Sequence, residues 1–324
     1  MAKYCALVKR LRDIGEFALI ARIEALARAA FVGVRTPSVA LGIGDDAALL
    51  RLRLGEAVVV TTDALVAGVH FDFAEETPRI AGRRALAANL SDLAAMGARP
   101  LGFVVALAAP SATPVAHALG LARGMLDLAV RFGCPLVGGN LARASEISVV
   151  ITVLGALQRG RALLRSGARA GDRVFVTGTL GGAALARARG RVRVAAEPRI
   201  AAGRALARMR GVGACIDVSD GLAADLAHVC RASDVAARLD TARLPTPPGF
   251  AAACARARRD PLALALAGGE DYELLFTLRG PAASAAGLTR RLGLAVTEIG
   301  RIESGKPAVH GLPRALGAGG FTHF

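Results

Sequence analysis

The sequence predicts an α/β (α+β) protein of two domains that meet near residue 160. Three observations lead there. Strand-like apolar runs alternate with helix-like ones along the chain, the pattern of sheets layered with helices. A polar stretch, Arg165-Ser-Gly-Ala-Arg-Ala-Gly-Asp172, divides one such series from a second. The 324 residues, 53% of them hydrophobic, suffice for two cores of about 150 residues each.

Apolar runs and their periods place the elements in order. The first series has a strand at 57–62 (Ala-Val-Val-Val-Thr-Thr), a helix at 78–97, a strand at 101–108, a helix at 113–132 and strands at 135–138 and 147–155. The second opens with a strand at 173–177 and a glycine turn, Gly178-Thr-Leu-Gly-Gly182, that reads as the start of a helix. Helices near 183–189 and 197–209 follow, then a strand at 213–217, a helix at 221–232 and a strand at 235–239. A helix at 261–267, a strand at 272–278, a helix at 281–292 and a strand at 295–300 complete it. The chain shows no short-period repeat, and its only compositional tract is an alanine bias.

Composition excludes several classes. Mean hydropathy is +0.45, but alanine supplies most of it. Every apolar run is broken well before the roughly 18 residues of a membrane span. The first twelve residues carry no basic-then-apolar leader, so a cytoplasmic location off the membrane is expected. Five cysteines, Cys5, Cys134, Cys215, Cys230 and Cys254, lie far apart without zinc spacing and read as reduced, buried residues. The net charge is +15, and 38 of the 41 basic residues are Arg, since Lys3, Lys9 and Lys306 are the only lysines. These Arg residues are spread along helix-like stretches such as 187–210 and 251–259, and the chain has no Trp and two Tyr to stack on bases. A basic solvated surface with no nucleic-acid partner is therefore expected, and its field attracts anionic small molecules.

Against that background the 26 acidic residues are informative. They gather at turns: Gly44-Asp45-Asp46, Thr61-Thr62-Asp63, Ser91-Asp92, Asp217-Val-Ser-Asp220 with Asp225, and Gly268-Gly-Glu-Asp271. Singly, each is accounted for by a helix cap or a turn. Together they point to a hard cation, because clustered carboxylates repel unless a cation holds them and Mg²⁺ prefers such oxygens. Carboxylate-held Mg²⁺ in a protein that attracts anions points in turn to phosphate chemistry. No GxxxxGK[ST] loop, kinase-type lysine or GxSxG elbow is present. Metal, backbone N–H groups and Arg must then hold any nucleotide.

Six segments carry a specific resemblance. They are Gly15-Glu-Phe-Ala-Leu-Ile-Ala21, Gly42-Ile-Gly-Asp-Asp-Ala47, Thr61-Thr-Asp-Ala-Leu-Val-Ala-Gly-Val-His-Phe71, Asn89-Leu-Ser-Asp-Leu-Ala-Ala-Met-Gly-Ala98, Asp217-Val-Ser-Asp-Gly-Leu222 and Gly268-Gly-Glu-Asp-Tyr-Glu-Leu-Leu275. In order and spacing they resemble the thiamine-monophosphate kinase family over nearly the whole chain. The resemblance implies ATP-dependent phosphorylation of thiamine monophosphate to thiamine diphosphate. The implied architecture is a two-domain fold like that of aminoimidazole ribonucleotide synthetase. Its N-terminal domain, 1–160, binds ATP and Mg²⁺ and pairs into a homodimer, and its C-terminal domain, 161–324, completes the substrate site.

Position by position, the resemblance implies Asp46, Thr61, Thr62, Asp63, Asp92, Asp217 and Asp220 as magnesium ligands, with Asn140 at a further metal position. Catalysis falls to Asp46, Asp63, Asp92 and Asp220 through the metal. Gly139, Asn140, Arg165 and Ser219 match nucleotide contacts; His70, Glu270 and Phe321 match contacts to thiamine monophosphate. The acceptor is a phosphate oxygen that is already anionic, so no general base is required. The chain departs from the family at Gly138-Gly-Asn-Leu-Ala-Arg143, where Gly-Gly-Asp-Thr-Thr-Arg is usual, and in a shortened stretch at 187–199. Asn140 supplies an oxygen but no charge, which predicts weaker affinity for one metal. Two alternatives stay open: a catalytically weakened nucleotide-binding homologue, or another enzyme of the same ATP-binding superfamily.

Overall fold

The computed structural model describes residues 8–190, 197–280 and 284–313, which fall into two units. The first takes in residues up to Leu54, Val60–Asn89 and Pro100–Gly155; the second takes in Gly55–Val59, Leu90–Arg99 and the chain from Ala156. Among the described residues no helix is long and apolar enough to cross a membrane.

The chain begins with the helical turn α1 (Leu11–Ile14), helix α2 (Glu16–Ala30) and the antiparallel pair β1 (Val39–Leu41) and β2 (Leu49–Leu50). Next come β3 (Glu56–Val66), α3 (Pro78–Ala95), β4 (Arg99–Ala109), α4 (Val115–Phe132), β5 (Leu136–Arg143) and β6 (Ser148–Gln158). The four longer strands form one sheet in the order β3-β6-β4-β5, with β4 and β5 parallel. Alternation along β6 buries Val149, Ile151 and Val153 on one face. Thr62 and Thr152 meet on the other face, so Val60, Ala64, Val150 and Leu154 share it; Val60 there is 61% exposed. Helix α4 turns Val115, Ala118, Leu121, Ala122 and Met125 inward at helical spacing and stops at Gly133, a left-handed cap.

The second unit holds β7 (Arg173–Thr177), α5 (Gly182–Ala188), α6 (Ile200–Leu206), β8 (Val212–Asp217), α7 (Leu222–Ser233) and β9 (Ala236–Leu239). A 3₁₀ turn, Thr241–Arg243, precedes α8 (Phe250–Arg256), α9 (Pro261–Ala267), β10 (Leu274–Leu278), α10 (Ala285–Leu292), β11 (Val296–Glu303) and β12 (Ala308–His310). Its sheet runs β12-β9-β11-β7-β10-β8, antiparallel at every pairing except β12 with β9. Strand β10 is buried throughout, and Phe175 and Phe276, paired across β7 and β10, stack at 5.5 Å. The register Leu274↔Asp217 ends β8 on a carboxylate beside the start of β10.

Helix α2 was not expected, because only Leu19 and Ala27 of its length are buried and so its apolar period is faint. The short elements β1, β2, α8 and β12 were likewise unannounced. Expected strand 135–138 extends through Arg143, which puts Gly139 and Asn140 on a strand. Expected strand 272–278 starts only at Leu274, leaving Asp271 to Glu273 in the preceding loop. Cys134, Cys215, Cys230 and Cys254 are buried free thiols.

Helices α3 and α4 approach backbone to backbone, since a Cβ on Gly124 would overlap the Arg79 carbonyl and one on Gly82 would overlap that of Leu121. Alanine in a helix normally gains about 1 kcal/mol over glycine. Here the clash is with backbone that cannot swing aside, a cost of ~1–3 kcal/mol. Gly124→Ala is therefore expected to lower the thermal midpoint, measured by calorimetry; an unchanged or raised midpoint contradicts this packing.

Candidate active site

In the second unit, the chain leaving β8 and the chain entering β10 are tied strand-like by their backbones. Val218 N–H donates to Glu273 O, Tyr272 N–H to Val218 O and Glu270 N–H to Ser219 O, each at 2.8 Å. Gly269 is required by this approach, because a Cβ there would meet Ser219 O at 2.5 Å. Glu270 and Tyr272 take positive φ values of 69° and 50°, which non-glycine residues rarely adopt.

Four carboxylates converge on this region, each held differently. Asp217, 3% exposed, accepts the Ser91 hydroxyl at 2.7 Å. Burial, then the neighbouring Asp92 charge, holds its carboxyl well above the usual range, while Ser91 and the charge of Arg165 act in the opposite direction. Asp225 Oδ2 accepts the backbone N–H groups of Ser219 (3.1 Å), Asp220 (3.2 Å) and Gly221 (3.2 Å). Burial, with Asp217 and Asp220 adding, pushes Asp225 up to about 8. Asp271 receives Gly181 N–H at 2.6 Å and Ala183 N–H at 3.2 Å, and so pins the glycine turn that precedes α5. Burial raises it to about 6. Glu273 accepts from two of the Arg199 nitrogens, Nε at 2.8 Å and Nη2 at 2.5 Å, and from the Thr177 hydroxyl at 2.7 Å. The half-buried neighbour Glu270 pairs with Arg187 at 2.6 Å.

In the first unit, Gly44, Asp45, Asp46 and Gly138 to Asn140 line a cavity of about 730 Å³ whose other walls are mostly apolar side chains, many of them from α2, α4 and the sheet, with Glu24 of α2 among them. Gly139 opposes Val105 in the β4–β5 register, and any side chain on it would strike the Val105 carbonyl. On β3, alternation sets Thr62 on the face opposite Thr61 and Asp63. The Thr62 hydroxyl donates to Ile151 O at 3.1 Å and meets Thr152 at 3.0 Å, so those three side chains do not share one point. His70 Nδ1 accepts Val66 N–H at 3.1 Å, which leaves Nε2 to carry the proton of the neutral ring. Arg84, paired with Glu76 at 2.5 Å, holds the His70 carbonyl in turn.

The expected site residues thus form two sets. Asp46, Thr61, Thr62, Asp63, His70, Gly139 and Asn140 belong to the first unit; Asp92, Arg165, Asp217, Ser219, Asp220 and Glu270 belong to the second. Phe321 lies outside the described residues. Among the described residues no three Asp, Glu, His or Cys side chains gather as a complete metal cage. The donors still suit Mg²⁺, which is ordinarily held by one or two carboxylates together with substrate phosphates. Asp217, buried, and Asp92, half-buried, form such a pair of like charge with a hydroxyl beside it. Sequence reasoning did not assign Ser91, Asp225, Asp271 or Glu273. The tight acidic spacing at 217–225 and 270–273 signals the three carboxylates, whereas Ser91 carries no such signal, its partner Asp217 lying 126 residues away.

Residues 44–157 match the AIR synthase related protein N-terminal domain and residues 169–311 its C-terminal domain. Fold and matches together define a two-domain protein of the AIR synthase related class. Thiamine-monophosphate kinase of Escherichia coli (strain K12) is 38% identical over 336 residues, 96% of this chain and 98% of that one. Thiamine-monophosphate kinase from Stenotrophomonas maltophilia K279a superposes with a TM-score of 0.79 at 38% identity, over 92% of this chain and 96% of that one. The structure of AaThiL complexed with AMPPCP and TMP aligns with a TM-score of 0.73 at 28% identity, over 98% of this chain and 100% of that one. The chain belongs to the thiamine-monophosphate kinase family.

The buried Asp271 has a pH signature. Its carboxyl titrates near 6 in the folded chain against about 3.9 when unfolded. The folded state therefore binds more protons in between. The stability Asp271 contributes is complete below about 4 and is lost as pH rises through about 6. Relative to Asp271→Asn, wild type is expected to lose thermal stability over that window. A difference in melting temperature that stays flat from pH 4 to 6.5 contradicts the assignment.

Proposed function

We propose that this chain transfers the γ-phosphoryl group of ATP directly to thiamine monophosphate, giving thiamine diphosphate. One observation carries the reading: the match to thiamine-monophosphate kinase spans 96% of this chain and 98% of its Escherichia coli relative. The AMPPCP and TMP held by AaThiL support the same pair of substrates.

In this reading the chain works mainly by position and charge. The attacking oxygen already bears charge, so the barrier is repulsion between two polyanions. Mg²⁺, when bound, neutralises the oxygens of the transferring group. Asp92 and Asp217 would hold it in the second unit, with Asp220 nearby; Asp46, Asp63, Thr61, Thr62 and Asn140 are the proposed oxygen donors of the first. For Thr62 a backbone contact is favoured, because its hydroxyl is committed to Ile151 and Thr152. Arg165, whose charge reaches Asp217, would assist on the nucleotide with Ser219 and the Gly139 backbone. His70, whose Nδ1 accepts Val66 N–H, would contact the substrate phosphate through Nε2. Glu270 would exchange its Arg187 partner for the cationic ring of thiamine.

The homodimer and a cytoplasmic location are part of the same proposal. The open sheet face bearing Val60, Ala64, Val150 and Leu154 supports the dimer, since a second copy would cover it. A second reading, a weakened homologue that binds nucleotide, is motivated by Asn140.

A coupled assay for thiamine diphosphate decides between them. Product from ATP and thiamine monophosphate is expected; ATP binding without ADP release on adding thiamine monophosphate would instead establish the weakened homologue. Restoring the carboxylate with Asn140→Asp is expected to lower the half-saturating Mg²⁺ concentration by roughly fivefold or more. An unchanged Mg²⁺ dependence removes Asn140 from the metal site.

A further inference from the structure

The turn 218–221 carries Ser219 and Asp220 and joins Asp217 to helix α7. Its carbonyls are engaged from one side, Val218 O by Tyr272 N–H and Ser219 O by Glu270 N–H. The Val218 amide donates to that same segment, at Glu273 O, while one oxygen of Asp225 takes the next three consecutive N–H groups within 3.1 to 3.2 Å. Asp225 is 1% exposed and sits in the first turn of α7, so it does not face solvent ligands itself. Gly221, at φ 117°, lies against the backbone of Ala267, which leaves the turn little room to readjust.

Consecutive amides leading into a helix ordinarily attract phosphate. Here an internal carboxylate consumes them. A phosphate beside this turn must then be met by side chains and cations. We propose that Asp225 is a positioning residue for phosphoryl transfer, gathering the amides of Ser219, Asp220 and Gly221 so that the turn presents Asp217 and Asp220 to a divalent cation. The inference rests on the kinase reading above and deepens it. Asp225 acts through its neighbours, as second-layer partners of metal ligands do, and the loss of such partners costs about 10- to 100-fold in metal affinity or activity.

Two variants test this: Asp225→Asn, which keeps the shape and weakens the acceptor, and Asp225→Ala, which removes it. The readouts are calorimetric titration of the full-length protein with Mn²⁺ in the presence of AMPPCP, and the Mg²⁺ dependence of kcat and KM. Expected are folded variants whose Mn²⁺ affinity falls about tenfold for Asn and further for Ala, with the half-saturating Mg²⁺ concentration rising in step. A variant with a lower melting temperature but wild-type Mn²⁺ affinity and Mg²⁺ dependence overturns the proposal, since Asp225 is then only structural. Failure of both variants to fold overturns it likewise. Should wild type make no thiamine diphosphate, the kinase reading fails, while the Mn²⁺ comparison still decides the role of Asp225.

Discussion

The second unit depends on the requirement that a carboxylate taken out of water find donors. Asp217, Asp225, Asp271 and Glu273 are all nearly buried at one end of the same sheet. Each is answered by specific partners: a serine hydroxyl, three amides, two amides, and an arginine with a threonine. A buried charge left unanswered costs far more than a typical hydrogen bond contributes. These partnerships therefore dictate the path of the loops at 178–182, 218–221 and 268–273. At Asp217 the neighbouring charge of Asp92 adds to the cost of burial, and the Ser91 hydroxyl and the charge of Arg165 offset it.

Close backbone contact is the second constraint. Gly269 lets residues 268–273 lie against Ser219, Gly139 lets β5 lie against β4, and Gly124 with Gly82 lets α4 lie against α3. Loops held this tightly can keep charged side chains in fixed places without a deep hydrophobic layer of their own. The abundance of alanine has the same consequence for helices, which approach closely where side chains are small.

Much of the order of elements was legible, because buried helices such as α4 and buried strands such as β6 have strong periods. Helix α2 was not, having only two buried positions. The acidic groups were legible as groups from their spacing at turns in a basic chain. Their division of labour was not. Spacing does not distinguish Asp220 from Asp225, although the latter is buried under three amides; nor does it show that Thr62 faces away from its neighbours on β3.

What the sequence determined alone is local and chemical: alternating apolar periods, glycines at tight passages, carboxylates in an arginine-rich chain, and the strings that mark the family. Only the tertiary structure decided which carboxylates are buried, which donors answer them and which strand face each oxygen occupies. The reason is physical. Ser91 and Asp217 are 126 positions apart and Thr177 and Glu273 are 96 apart, so their bonds exist only once the sheet has brought those segments together.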